Sequence, residues 1–255
     1  MTFRALRIAV LLFILLSVAL GTWLSRARST DWDRPLWVAV YPINADGSDA
    51  SERHIAKLGE QSFSSVQRFM TAEAELFDAP LDEPVRMKLY AQVRDRPPAL
   101  GDHPSVLTRI LYSLRLRYWA WRTEGSHAGP PPDVSIYVLY HDPAQSPSVP
   151  HSHGLQKGLI GVVHAFADGS MHGENCIVIA HELLHTLGAT DKYDPADGKP
   201  IFPMGFAEPD RNPLYPQPLA EIMAGRRMVS ESLWEMPSSL DDVTIGESTA
   251  GEINW

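Results

Sequence analysis

A chain of 255 residues, 44% hydrophobic and 21% charged, has the composition of a globular protein with enough material for a real core. Its formal net charge of −9 excludes a broadly basic surface and so argues against a nucleic-acid partner. Its single cysteine, Cys176, excludes an intramolecular disulfide and leaves no separate propeptide cysteine to cap a metal.

In chain order, Arg4 and Arg7 precede an uncharged, mostly apolar run, Ile8–Leu24, which Arg26 and Arg28 close. As a helix this run reaches about 25 Å, at the short end for a bilayer. The expectation is an N-terminal membrane anchor in residues 1–29, a transmembrane signal-anchor that leaves the rest of the chain extracytoplasmic. The small-x-small run Ala19-Leu20-Gly21 supports the alternative, a cleaved secretory signal.

Arg26–Asp33 reads as a polar linker, and Leu36–Ile43 as a buried strand. The apolar spacing from Ala50 to Leu76 predicts one helix. Val85–Val93 alternates as a second strand, and Pro104–Trp121 is a second helix rich in Leu, Arg and aromatic residues. Asp133–Tyr140 and Gly158–Ala165 are the third and fourth strands, and Asn175–Leu187 is a third helix. Beyond Asp191 the chain is rich in Pro and Gly. This order describes an α/β (α+β) domain over residues 30–255, with a mixed sheet. Its N-terminal subdomain would span about 30–188, and a loop-rich C-terminal subdomain about 189–255.

The third helix carries His181-Glu182-Leu183-Leu184-His185. Residues four apart lie about 40° apart on one helical face, so two imidazoles can bind one zinc ion. Glu182 falls beside that face, where a carboxylate can take a proton from an attacking water and pass it to a leaving amine. Cys176, Ile179, Ala180, Leu183 and Leu187 form the opposite, core-facing side. A satisfied pair of core histidines is the competing reading of a bare His-Glu-x-x-His. Here the run continues to Gly188 and Asp191. A glycine in the last turn lets the backbone turn back in a left-handed conformation, and Asp191 can then reach the metal as third ligand.

HELLHTLGATD resembles the extended zinc signature of the metzincin clan of metallopeptidases, in the variant with Asp as third ligand. Through Lys192-Tyr193-Asp194 it is similar to the immune-inhibitor-A-like and snapalysin-like bacterial peptidases. The resemblance implies a zincin catalytic domain in which His181, His185 and Asp191 ligate Zn2+ and Glu182 is the general base. The substrate would be a protein or peptide. It also implies a methionine turn beneath the metal, assigned to Met223 with Met204 as the rival, and an antiparallel edge strand that pairs with substrate, assigned to Gly158–Ala165. Some members carry a tyrosine two residues after that methionine. Gly225 stands there, and Tyr193 and Tyr215 are the possible replacements.

Two alternatives keep the metal but change the function. One is a non-catalytic, zinc-stabilised binding module at the membrane. The other is a gluzincin-type peptidase with Glu221 as third ligand. His151 and His153 read as a solvated loop, and His164 and His172 as bystanders near the motif.

Overall fold

The computed structural model describes residues 7–8, 11–13, 16, 30–99, 105–125, 131–156 and 158–255. The fold is mixed α/β, built on a five-stranded mixed sheet ordered β2-β1-β3-β5-β4. Its strands are β1 (Leu36–Asn44), β2 (Val85–Leu89), β3 (Val134–His141), β4 (His153–Leu155) and β5 (Ile160–Phe166). The first three and β5 run parallel, and only β4 is antiparallel, against β5.

The helices are α1 (Asp49–Ile55), α2 (Ser64–Leu76), α3 (Val106–Glu124), α4 (His172–Leu187) and α5 (Glu247–Glu252). Strand alternation divides the core between the two sheet faces. Val38, Val40, Ile136, Val138 and Val163 point to the face covered by α2 and α4. Ala39, Tyr41, Ile43, Tyr137 and Val162 point to the face covered by α3, through its Tyr112, Leu116 and Trp119. Both faces are covered, so the inner parallel strands β1, β3 and β5 read as almost unbroken apolar runs, while β2 at the edge alternates.

The single helix expected over Ala50–Leu76 is two. It stops at Ile55, and a 3-10 turn over Glu60–Phe63 leads into α2. Gly59 lies between in an extended conformation (φ −132°, ψ −179°), which breaks the helical hydrogen-bond ladder. The fourth strand lies inside the sheet, hydrogen-bonded on both sides. The antiparallel edge is therefore β4, not Gly158–Ala165. His153 belongs to that strand rather than to a solvated loop.

The expected transmembrane signal-anchor is corrected. Among the described residues no helix is long and apolar enough to cross a membrane. The longest described helix, α3, has 19 residues, but four are arginines and one is glutamate. Most of the run Ile8–Leu24 lies outside the described residues.

After α4 the chain forms only short pairings. β6 (Ala220–Glu221) pairs in parallel with β9 (Val243–Thr244), and β7 (Arg227–Met228) pairs with β8 (Trp234–Glu235). This segment is tied to the main core by polar bonds as well as by packing. The carboxylate of Glu73 on α2 accepts from Ile245 N at 2.7 Å and Thr244 Oγ1 at 3.0 Å.

Burial raises the pKa of Glu73 above its ordinary 4.5 despite these bonds. A raised folded-state pKa means that the native state holds this proton more tightly than the unfolded chain. The associated stability is full below pH 4.5 and is lost as pH rises through the folded value. Glu73→Gln keeps an acceptor but removes the titration. Urea unfolding across a pH series should show the variant gaining on the native protein as pH rises towards 7. Parallel profiles would contradict this reading.

Candidate metal centre

α4 is buried almost all round, because Cys176, Ile179, Ala180, Leu183 and Leu187 face the sheet and Leu184 is enclosed as well. A helix this apolar accommodates two histidines and a glutamate only if each polar atom has a use. His181 and His185 lie one turn apart, with ring centroids 4.6 Å apart and planes nearly perpendicular at 87°.

The far nitrogen of each ring is fixed by a backbone carbonyl. His181 Nδ1 lies 2.9 Å from Ile222 O, and His185 Nδ1 lies 2.8 Å from Ala189 O. A carbonyl only accepts, so each Nδ1 carries the hydrogen and donates. In the neutral ring this leaves Nε2 with a bare lone pair, the form that ligates a metal.

Asp191 supplies the third donor. α4 ends at Gly188, whose φ of +114° is a left-handed cap. Gly188 N reaches Leu184 O and His185 O, and Ala189 N reaches Leu184 O. The chain then doubles back and places Asp191 Oδ1 3.3 Å from His181 Nε2 and 3.1 Å from His185 Nε2. The segment is held from both sides. Lys192 is buried with its Nζ 2.7 Å from Glu252 Oε2, and Lys192 N donates to Met223 O at 3.0 Å. Side chains alternate along this extended stretch, so Lys192 points inward while Asp191 and Tyr193 share the side of the site.

Two donor sets can be drawn. The ligand atoms of His181, Glu182 and His185 lie within 4.8 Å of one another. Asp191 Oδ1, at 3.1–3.3 Å from the two Nε2 atoms, matches the spacing of about 3.3 Å between donors around a tetrahedral zinc with bonds of 2.0–2.1 Å. Ionisation points the same way. Burial opposes the charged form of Asp191, but hydrogen bonds from His181 and His185 outweigh it and hold the carboxyl well below the usual range. Burial also opposes charging of His185, and its contact with Asp191 overcomes this and raises its pKa. The carboxylate thus favours a positive charge between itself and the two rings, whether a proton on Nε2 or, with the rings neutral, a metal ion. A metal ion meets that demand with the ring tautomers already set.

Glu182 is different. It is only 4% exposed, and its Oε2 is buried with no hydrogen-bond partner. Burial pushes its pKa up to about 7, against the lowering influence of His181 and His185. A carboxyl poised there is a weak ligand and a well-matched proton carrier.

Met223 is fully buried in the turn Glu221–Gly225, whose Ile222 carbonyl holds His181. Its rival Met204 is 45% exposed. The carboxylate of Glu221 is committed elsewhere, accepting from Thr249 Oγ1 at 2.6 Å, Ala224 N at 2.8 Å and Gly246 N at 3.3 Å. It ties the turn Glu221–Gly225 to α5 and is not available as a ligand.

A cavity of about 640 Å³ opens beside the centre, lined by His181, Glu182, His151, His164, Tyr193 and Arg226 among others. His164 Nδ1 lies 2.9 Å from His141 Nε2, and burial pushes its pKa down to about 4. His153 turns the other way, to Tyr112 of α3. His172 stands at the start of α4, next to Cys176. Tyr215 is not in this wall.

Sequence reasoning left Tyr193 unassigned, although its place two residues after Asp191 on an extended segment was a usable signal. It also missed Gly154 of β4. A Cβ there would come within 2.6 Å of His185 Cβ and 2.7 Å of Glu182 O, so only glycine lets the edge strand press this closely on the motif. Nothing in the sequence pattern marks Ile222 and Ala189 as carbonyl partners, because those contacts depend on the tertiary path.

Comparison with known proteins finds no family model that matches the chain and no match among curated proteins.

The two donor sets predict opposite outcomes. In a zinc titration against a chromophoric chelator, Asp191→Ala should weaken binding by at least about a hundredfold. Glu182→Ala should leave affinity within about threefold of the native value, since a residue outside the metal's coordination adds little to it. The reverse pattern would make Glu182 the ligand.

Proposed function

We propose that this protein is a zinc-dependent peptidase of metzincin type that cleaves extended protein or peptide substrates. The observation that carries the reading is the convergence of His181, His185 and Asp191 beside Glu182, whose buried Oε2 has no hydrogen-bond partner. When bound at those three residues, zinc supplies Lewis acidity, polarising a carbonyl and lowering the pKa of water to about 7.

The chain's own groups supply the rest. Glu182, with its pKa near 7, accepts the proton of the attacking water and hands it to the leaving amine. Tyr193 lies in the cavity wall, and its phenol is kept protonated by burial and by the nearby charges of Asp191 and Glu182. A protonated phenol there can donate to the oxygen that becomes negative as the carbonyl is attacked. The outer edge of β4 has no strand partner among the described residues, and it presses against α4 at Gly154. An extended peptide adding to that edge would run beside the centre, with main-chain bonds giving register and the cavity taking a side chain.

The alternative of a non-catalytic, zinc-stabilised module does not account for Glu182. A purely structural site closes its fourth position and has no use for an unpaired buried carboxyl, which costs about 1–3 kcal/mol to hide.

Two substitutions test the proposal on unfolded protein substrates. Glu182→Ala should reduce cleavage by roughly 10²–10⁴-fold with zinc content unchanged. Tyr193→Phe should lower kcat by about tenfold or more, with KM and zinc content nearly constant. Equal cleavage by native and Glu182→Ala protein would remove the enzymatic reading.

A further inference from the structure

The helix α3 covers one face of the sheet with Tyr112, Leu116, Trp119 and Ala120, and all four are buried. Its opposite side is apolar as well. Leu107, Ile110, Leu111, Leu114, Tyr118 and Trp121 are each between 45% and 70% exposed. At 100° per residue they fall within a sector of about 100°, and the stripe runs roughly 20 Å along the axis. A continuous apolar strip of this size is not ordinary surface.

The borders of the strip are basic. Arg115 and Arg122 lie about 70–90° to one side of its centre and Arg117 about 70° to the other. All three are exposed. Arg122 pairs with Asp95 at 2.7 Å, while Arg115 and Arg117 have no carboxylate partner among the described residues. The helix carries four arginines and one glutamate in a chain of net charge −9. Positive charge is therefore concentrated beside this apolar stripe.

We infer that α3 is an interfacial helix that rests on an anionic lipid surface. The Leu and Ile side chains would enter the acyl boundary, Tyr118 and Trp121 would sit at headgroup depth, and the flanking arginines would reach lipid phosphates. This is a surface contact by a helix that stays packed on its own sheet, not a span. A second copy of the chain fits the stripe less well. Antiparallel pairing of two such helices sets arginine rows against arginine rows, with no acidic residue on the exposed face to answer them. The inference does not depend on the peptidase reading, although the two surfaces are close: the buried side of α3 meets the edge strand through the Tyr112–His153 bond.

The test is a fluorophore placed on the stripe of the full chain, on a cysteine replacing Leu114, since native Cys176 is buried. The expected result is a blue shift with phosphatidylcholine vesicles containing roughly one-third phosphatidylglycerol, and far less with phosphatidylcholine alone. Quenching by doxyl-labelled lipid should accompany it. The same label at Glu60, on the segment packed against the other sheet face, should not respond. Arg115→Glu with Arg117→Glu should weaken the response about tenfold or more with thermal unfolding unchanged, because both residues are exposed. Four results would overturn the inference: vesicle association with no shift at position 114; a shift without vesicles that grows with protein concentration, which assigns the stripe to a second copy; a shift without vesicles at high dilution, which assigns it to another segment of the same chain; or an affinity unaffected by the charge reversal.

Discussion

At Gly188 the backbone turns left-handed, and the geometry of the whole centre depends on that reversal. An α-helix carries its side chains forward by 1.5 Å per residue, so a third ligand six residues past His185 would otherwise be out of reach. The reversal places Ala189 O against His185 Nδ1 and brings Asp191 to both Nε2 atoms. Its path is then secured by the buried Lys192–Glu252 pair and by the bond from Lys192 to Met223. One conformational feature of one residue thus fixes the ring tautomer of one ligand and the position of another.

The electrostatics follow from where each carboxyl is buried. Asp191 meets two imidazoles and stays ionised, Glu182 meets none closely enough to outweigh its burial, and Glu221 is satisfied by a threonine hydroxyl and backbone amides. In the proposed mechanism three carboxylates around one helix therefore take three separate roles, as donor, proton carrier and structural tie. The differing environments, rather than the residue types, make that division.

Much of this was legible because it is local. The spacing of His181 and His185, the core stripe of α4 and the glycine cap all lie within about three helical turns. The inner parallel strands were legible as apolar runs because helices cover both faces, and the edge strand β2 by its alternation. The antiparallel edge strand was not. β4 has three residues and includes Gly154, so it carries no periodic signal, and the longer apolar run beside it was given its place. The break after Ile55 was hidden because the apolar spacing continues across Gly59. Arg-rich α3 was legible as a helix, but its second, uncovered apolar side emerges only when the core-facing residues are known. The role of Ile222 O could not be read at all, since 41 residues separate it from the ring it holds.

The proposed centre holds zinc by two imidazoles and one aspartate, with a position left for water. X-ray absorption at the zinc edge of the metal-loaded protein measures this directly. The expected result is a four-coordinate spectrum with two imidazole nitrogens and two oxygens at about 2.0–2.1 Å. In Asp191→Ala the imidazole signature should persist while the protein-derived oxygen is replaced or lost. A six-coordinate oxygen shell without imidazole scattering, or a native spectrum unchanged by loss of Asp191, would contradict it.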